Sequence, residues 1–168
     1  MGAELQLIIS RLREAYDGDP WFGKSMKQLL ESVSTEDVFV SPSGQHSIMQ
    51  LLWHINNWKE FTISRLRPGS DHSLLQFEEA DWRANPERDD RLWQEALEDF
   101  RRLHHELIAL LQQQDDSLLS RIVPGRKFDF RKLLNGVLEH DVYHMGQIAY
   151  VSKKQKAERR DFSNLPSI

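Results

Sequence analysis

Two histidines one helical turn apart, His140 and His144, interrupt an apolar stripe in the last third of the chain. The stripe runs Phe130, Leu133, Leu134, Val137, then Asp141, His144, Ile148 and Val151, which is the spacing of a helix face turned towards a core. Three successive turns carry His140, Asp141, His144 and Gln147 where a packed helix wants aliphatic side chains. Buried imidazoles and carboxylates cost free energy unless each finds a partner. Either they satisfy one another in a polar network, or they hold a metal ion. Neutral imidazole is a good ligand for zinc, nickel or iron, so the second outcome brings chemistry with it.

A third histidine extends the pattern. His54 shares a helix face with Leu51, Trp58 and Phe61, beside Ile48, Leu52 and Ile55, and is expected to look inward. An i,i+4 histidine pair alone arises by chance on solvated faces, whereas a further inward histidine on a separate helix makes a set of three. No cysteine exists and no inward carboxylate is evident to complete a closed tetrahedral site. The open position would take water or a substrate atom, and the ion would lower the pKa of that water or stabilise a thiolate or alkoxide. Metal ligands His54, His140 and His144, with metal-bound water or a substrate thiol as the nucleophile, are therefore the expected site; no protein general base is evident.

Asp141 falls between the two histidines on the same seam. It either accepts the second ring N–H of a ligand imidazole or belongs to a structural ion pair. Asn57 and Gln147 are lesser candidates for the same orienting role, and Trp58 could wall a pocket. His46 lies eight residues before His54, roughly 12 Å along a helix axis, too far to share the ion. His104 and His105 read as surface or boundary residues, His72 as a loop residue, and the five tryptophans mostly as core. Gly136 and Gly146 sit inside the last helix at ~1 kcal/mol each relative to alanine, which a close helix approach, or room over the metal, would explain.

The elements that must position these side chains are helices. The patterning predicts helical regions over about 4–16, 21–33, 47–66, 87–114 and 129–151, separated by Asp17-Gly18-Asp19-Pro20, Pro42-Ser43-Gly44, Arg67-Pro68-Gly69 and Pro124-Gly125. Ser47 and Gln50 form an expected capping box. No strand pair is evident, so the expected class is all-α, a four-helix bundle over residues 1–152, with 153–168 a poorly ordered tail. A hydrophobic share of 39% against 29% charged residues suits one globular domain. A formal charge of −4 argues against binding nucleic acid or an anionic membrane. Without cysteine, a signal-peptide pattern or a long apolar run, a cytoplasmic location is expected.

The string His140-Asp141-Val142-Tyr143-His144-Met145-Gly146-Gln147-Ile148, with His46-Ser47-Ile48 leading to Leu52-Trp53-His54-Ile55, resembles the DinB-like superfamily along the whole chain. The resemblance implies an up-down-down-up four-helix bundle with a metal on three histidines, which map to His54, His140 and His144. It also implies a divalent-metal-dependent hydrolase or a transferase using a low-molecular-weight thiol cosubstrate such as bacillithiol or mycothiol, and a possible homodimer. Zinc or nickel is the expected ion and a small molecule the expected substrate. Two other readings remain from the residues alone: a non-catalytic metal-stabilised bundle that binds a ligand or protein partner, and a metal-free bundle with a buried histidine network.

Overall fold

A capping box opens the helix that carries His54. The Ser47 Oγ accepts from the Gln50 backbone N–H at 3.1 Å, and the Gln50 side chain accepts from the Ser47 N–H at 3.0 Å. The computed structural model describes residues 2–69 and 73–163, with side chains to 159. Its helices are α1 (Ala3–Asp17), α2 (Met26–Glu31), α3 (Ile48–Leu66), α4 (Leu75–Glu79), α5 (Asp90–Gln112) and α6 (Phe130–Ser163), with a 3-10 turn at Asp116–Ser120. Among the described residues the fold is all-α, apart from one isolated bridge between Ile122 and Asp129. No helix among them is long and apolar enough to cross a membrane.

Two helix boundaries differ from expectation. The region over 21–33 narrows to α2, because a second capping box starts the helix late: Ser25 pairs with Gln28. Trp21 and Phe22 lie before it in a turn that ends on Gly23, whose φ of 124° suits glycine alone. The segment 68–86 contains the short α4. The helix expected to stop at Val151 continues to Ser163, so the supposed tail from Lys153 begins as helix; residues 164–168 lie outside the described residues. Gln155 anchors this extension, buried and donating to the carbonyls of Asp37 and Val40, and Arg159 reaches Glu36 and Asp37. The charged run after Val151 erased the apolar period that would have disclosed it.

Pairings between helices give their directions. On α3 and α5, Asn56 donates to the Ala96 carbonyl and Arg67 bonds Glu106, so these two run the same way. On α3 and α6, Leu51 shares a cavity with Gly146 and Val151, and Phe61 one with Leu133, so they run oppositely. Arg131 bonds Glu4, and Arg11 reaches Asn135, which makes α1 and α6 parallel.

Two apolar clusters fill the interior. One holds Phe61, Leu103, Leu107, Val137 and Leu138; the other holds Leu52, Ile55, Trp93, Phe100, Met145 and Ile148. Between them, on the same three helices, lie Lys59, His104, Asp141 and His144, all buried. The polar interruption in the sequence stripe is thus one level of a continuous polar layer.

Candidate metal centre

α3 and α6 bring His54, His140 and His144 into one cluster. Ring centroids lie 4.4 Å apart for His140 and His144, 4.6 Å for His54 and His144, and 4.8 Å for His54 and His140. Each offers a ring nitrogen, and the three nitrogens lie within 4.8 Å of one another. His54 and His144 are buried, whereas the His140 side chain keeps 25% of its exposure.

Hydrogen bonds assign the ring protons. The His54 Nδ1 is 3.1 Å from the Asp81 carbonyl and 3.0 Å from its carboxylate, both pure acceptors, so the proton sits on Nδ1 and the Nε2 lone pair is free. The His144 Nδ1 donates to the Gln147 Oε1 at 2.5 Å, with the same consequence. The His54 Nε2 in turn lies 2.9 Å from the His140 Nε2. At that separation the His54 lone pair meets either a proton on His140 Nε2 or a cation shared by the two rings. His140 Nδ1 is buried with no hydrogen-bond partner among the described residues, 4.0 Å from Asp141 Oδ1. Burial, with the neighbouring His140 charge, pushes the His144 pKa down to about 4, and burial also lowers that of His54. Both are neutral at pH 7, the form that ligates. This donor set fits a divalent cation.

Of the orienting candidates the sequence offered, Gln147 takes that place on His144, and Asp81, which the sequence did not single out, takes it on His54. Asp141 bonds Lys59, with its Oδ2 2.7 Å from Nζ and both groups buried. The ion-pair alternative for Asp141 is therefore the one the geometry supports. Replacing Gln147 by alanine is expected to weaken metal binding roughly 10–100-fold with little change in stability, checked by competition titration and urea unfolding. Asn57 is turned away from the cluster, donating to the Phe77 carbonyl at 2.8 Å. Trp58 donates to Asp81 at 2.6 Å and lines a cavity that reaches His140.

Other expectations are corrected. His104 is buried, its ring stacked on Tyr16 at 3.8 Å, and takes no part in the cluster. Trp93 is core, but Trp21 is fully exposed. Trp82 is 39% exposed and sits between two imidazoles, 4.0 Å from His54 and 3.7 Å from His46. His46 thus meets the site through an indole. Gly136 and Gly146 have no atom within 4 Å of where a Cβ would stand, so close packing does not explain them. Each lines a cavity instead, on either side of the histidines. His72 lies outside the described residues.

Lys59 escaped the sequence reading although its spacing carries a signal: Ile48, Leu52, Ile55, Lys59 and Thr62 form one i+3/i+4 series. Asp81 and Trp82 fall in a segment without periodicity, and nothing in the sequence pairs them with His54.

Burial, then the Lys59 and His105 charges, pushes the His104 pKa down to about 3. Below the ordinary histidine value of ~6.5 the unfolded chain takes up a proton that the folded chain refuses. Stability of chelator-treated protein is expected to be flat above about pH 6.5 and to fall as the pH drops towards His104's folded value. Urea midpoints across pH 4.5–8 for wild type and His104→Leu check this, the variant showing the shallower decline.

The family model described as the DinB superfamily matches residues 23–148, which include all three histidines. No curated protein matches the chain.

Proposed function

Because the chain belongs to the DinB superfamily and gathers His54, His140 and His144 at one point, we propose that it is a divalent-metal-dependent enzyme acting on a small molecule, a hydrolase or a low-molecular-weight-thiol S-transferase. The single observation that carries the reading is an open histidine cluster: three ring nitrogens converge, and one of the three side chains, His140, lines a cavity. A sealed ion serves structure, while an accessible one serves chemistry. The helix directions support an up-down-down-up four-helix bundle of α1, α3, α5 and α6 as the scaffold, with α2 and α4 in the connections.

His54, His140 and His144 would hold the ion, zinc or nickel first, which when bound supplies a Lewis acid that lowers the pKa of water or a thiol. The chain's own groups do the rest. Asp81 and Gln147 keep the His54 and His144 protons on Nδ1 and aim Nε2 inward. Trp82 covers the outer face of His54 and excludes water from that side. Trp58 and Phe61 give the cavity apolar walls.

The test loads chelated protein with zinc, nickel or manganese and assays it two ways. One assay follows hydrolysis of activated esters and amides, the other conjugation of a thiol to an electrophile. The reading requires turnover in one assay that disappears on chelation and in His140→Ala. Metal-loaded protein inert in both overturns it.

A further inference from the structure

We propose that the cavity beside His140 selects a small organic carboxylate with a short linear apolar stem, its head at Arg126 and Lys132 and its other end towards His140. The proposal names a substrate class for the enzyme proposed above and rests on that reading for the reaction, though not for the binding.

The cavity measures about 270 Å³, just below the range of roughly 300–1,000 Å³ usual for drug-sized ligands, so it suits a small one. Its walls are Trp58, Phe61, Phe128, Leu133 and Val137. Among the described residues its lining carries two cations, Arg126 and Lys132, and no carboxylate. In a chain with four more acidic than basic residues, that local excess of positive charge is specific.

Neither cation is paired outside the cavity among the described residues. Among the described residues Arg126 and Lys132 form no ion pair, and the Arg126 Nε is buried without a hydrogen-bond partner. Each head lies over an aromatic ring of the same cavity, Arg126 at 5.2 Å from Phe61 and Lys132 at 5.7 Å from Phe128. A buried N–H donor left open is costly, and a carboxylate satisfies it with a charge-assisted bond.

The register along α6 sets the ligand's length. Lys132, Gly136 and His140 follow at i, i+4 and i+8, about 12 Å end to end at 1.5 Å per residue. Gly136 sits midway with open space at its missing Cβ. A side chain there would stand in the path from the cations to His140. The helix tolerates a glycine worth ~1 kcal/mol less than alanine at a place where no packing requires one. Keeping the channel open accounts for it.

Calorimetry on the zinc-loaded chain, with hexanoate and hexan-1-ol as probes, tests the proposal. Hexanoate is expected to bind about 10–100-fold more tightly than the alcohol, the scale of a charge-assisted hydrogen bond. Arg126→Gln should remove most of that advantage and leave the alcohol unchanged. Gly136→Leu should abolish binding of both, while Gly136→Ala, a better helix former, controls for folding. Equal affinity for acid and alcohol, or a preference that survives Arg126→Gln combined with Lys132→Gln, overturns it. His144→Ala separates this idea from the metal reading. Hexanoate binding that persists there and still depends on Arg126 supports the anion pocket whatever the metal does. Binding lost in His144→Ala but indifferent to Arg126 places the carboxylate on the metal and overturns the proposal.

Discussion

Lys59→Met is expected to destabilise the fold by roughly 3–5 kcal/mol, the cost of stranding one member of a buried ion pair. Lys59 and Asp141 are 2.7 Å apart, at 2% and 8% side-chain exposure, so water cannot replace the lost partner. The second Asp141 oxygen lacks a hydrogen-bond partner among the described residues, and the neighbouring His140 Nδ1, 4.0 Å away, is not close enough to replace the lysine. Domains of this size are commonly stable by only about 5–15 kcal/mol, so the variant should be marginal. Burial drives the Asp141 pKa up, but the Lys59 charge and the His140 contact outweigh it and hold the carboxyl below its ordinary range. The pair's stabilisation is therefore fully present above the usual aspartate pKa of ~3.9 and is lost as pH falls through the depressed folded value. In Lys59→Met the sign reverses, because protonating the stranded carboxyl relieves it; the deficit should shrink as pH is lowered. Lys59→Met combined with Asp141→Leu should recover most of the loss, since the two changes remove the pair together. Urea unfolding of both single variants and the double variant at two pH values reads all three outcomes.

The interruption of the α6 stripe by His140, Asp141 and His144 was legible because a period of 3.6 residues marks which side chains must go inside. The inward set of α3, including His54, followed from the same rule, and the Ser47–Gln50 cap fixed where that helix begins. What stayed hidden lies between elements. Asp81 reaches His54 from a loop 27 residues on, and Arg126 enters the cavity from the turn before α6. No local period encodes such meetings. The choice between orienting and ion-pair roles for Asp141 was undecidable for the same reason, since it depended on Lys59 arriving from α3. The end of α6 was missed because Gln155 is held by carbonyls of the loop after α2, a contact that leaves no apolar trace.

His144→Ala should cost more than the roughly 10–100-fold that a supporting group such as Gln147 contributes to metal affinity, because it deletes a donor outright. Two imidazoles would remain, too few to hold zinc or nickel against water. The fold should persist. The two apolar clusters on either side of the polar layer do not need an ion between them, unlike a zinc finger, whose folding free energy is its metal binding. Far-ultraviolet circular dichroism should be nearly unchanged in the variant while competition titration registers the loss. A variant that unfolds and regains helicity only with excess metal would instead make the ion structural.

The central claim is an open three-histidine metal site, and cobalt substitution tests it most directly, since cobalt(II) reports its ligands in visible absorption. The chelated chain should bind one cobalt ion, none in the combined His54→Ala, His140→Ala and His144→Ala variant, and the absorption should shift when a small thiol is added at neutral pH. Failure to bind cobalt, binding that survives loss of all three histidines, or a spectrum that no added thiol can move would contradict the account.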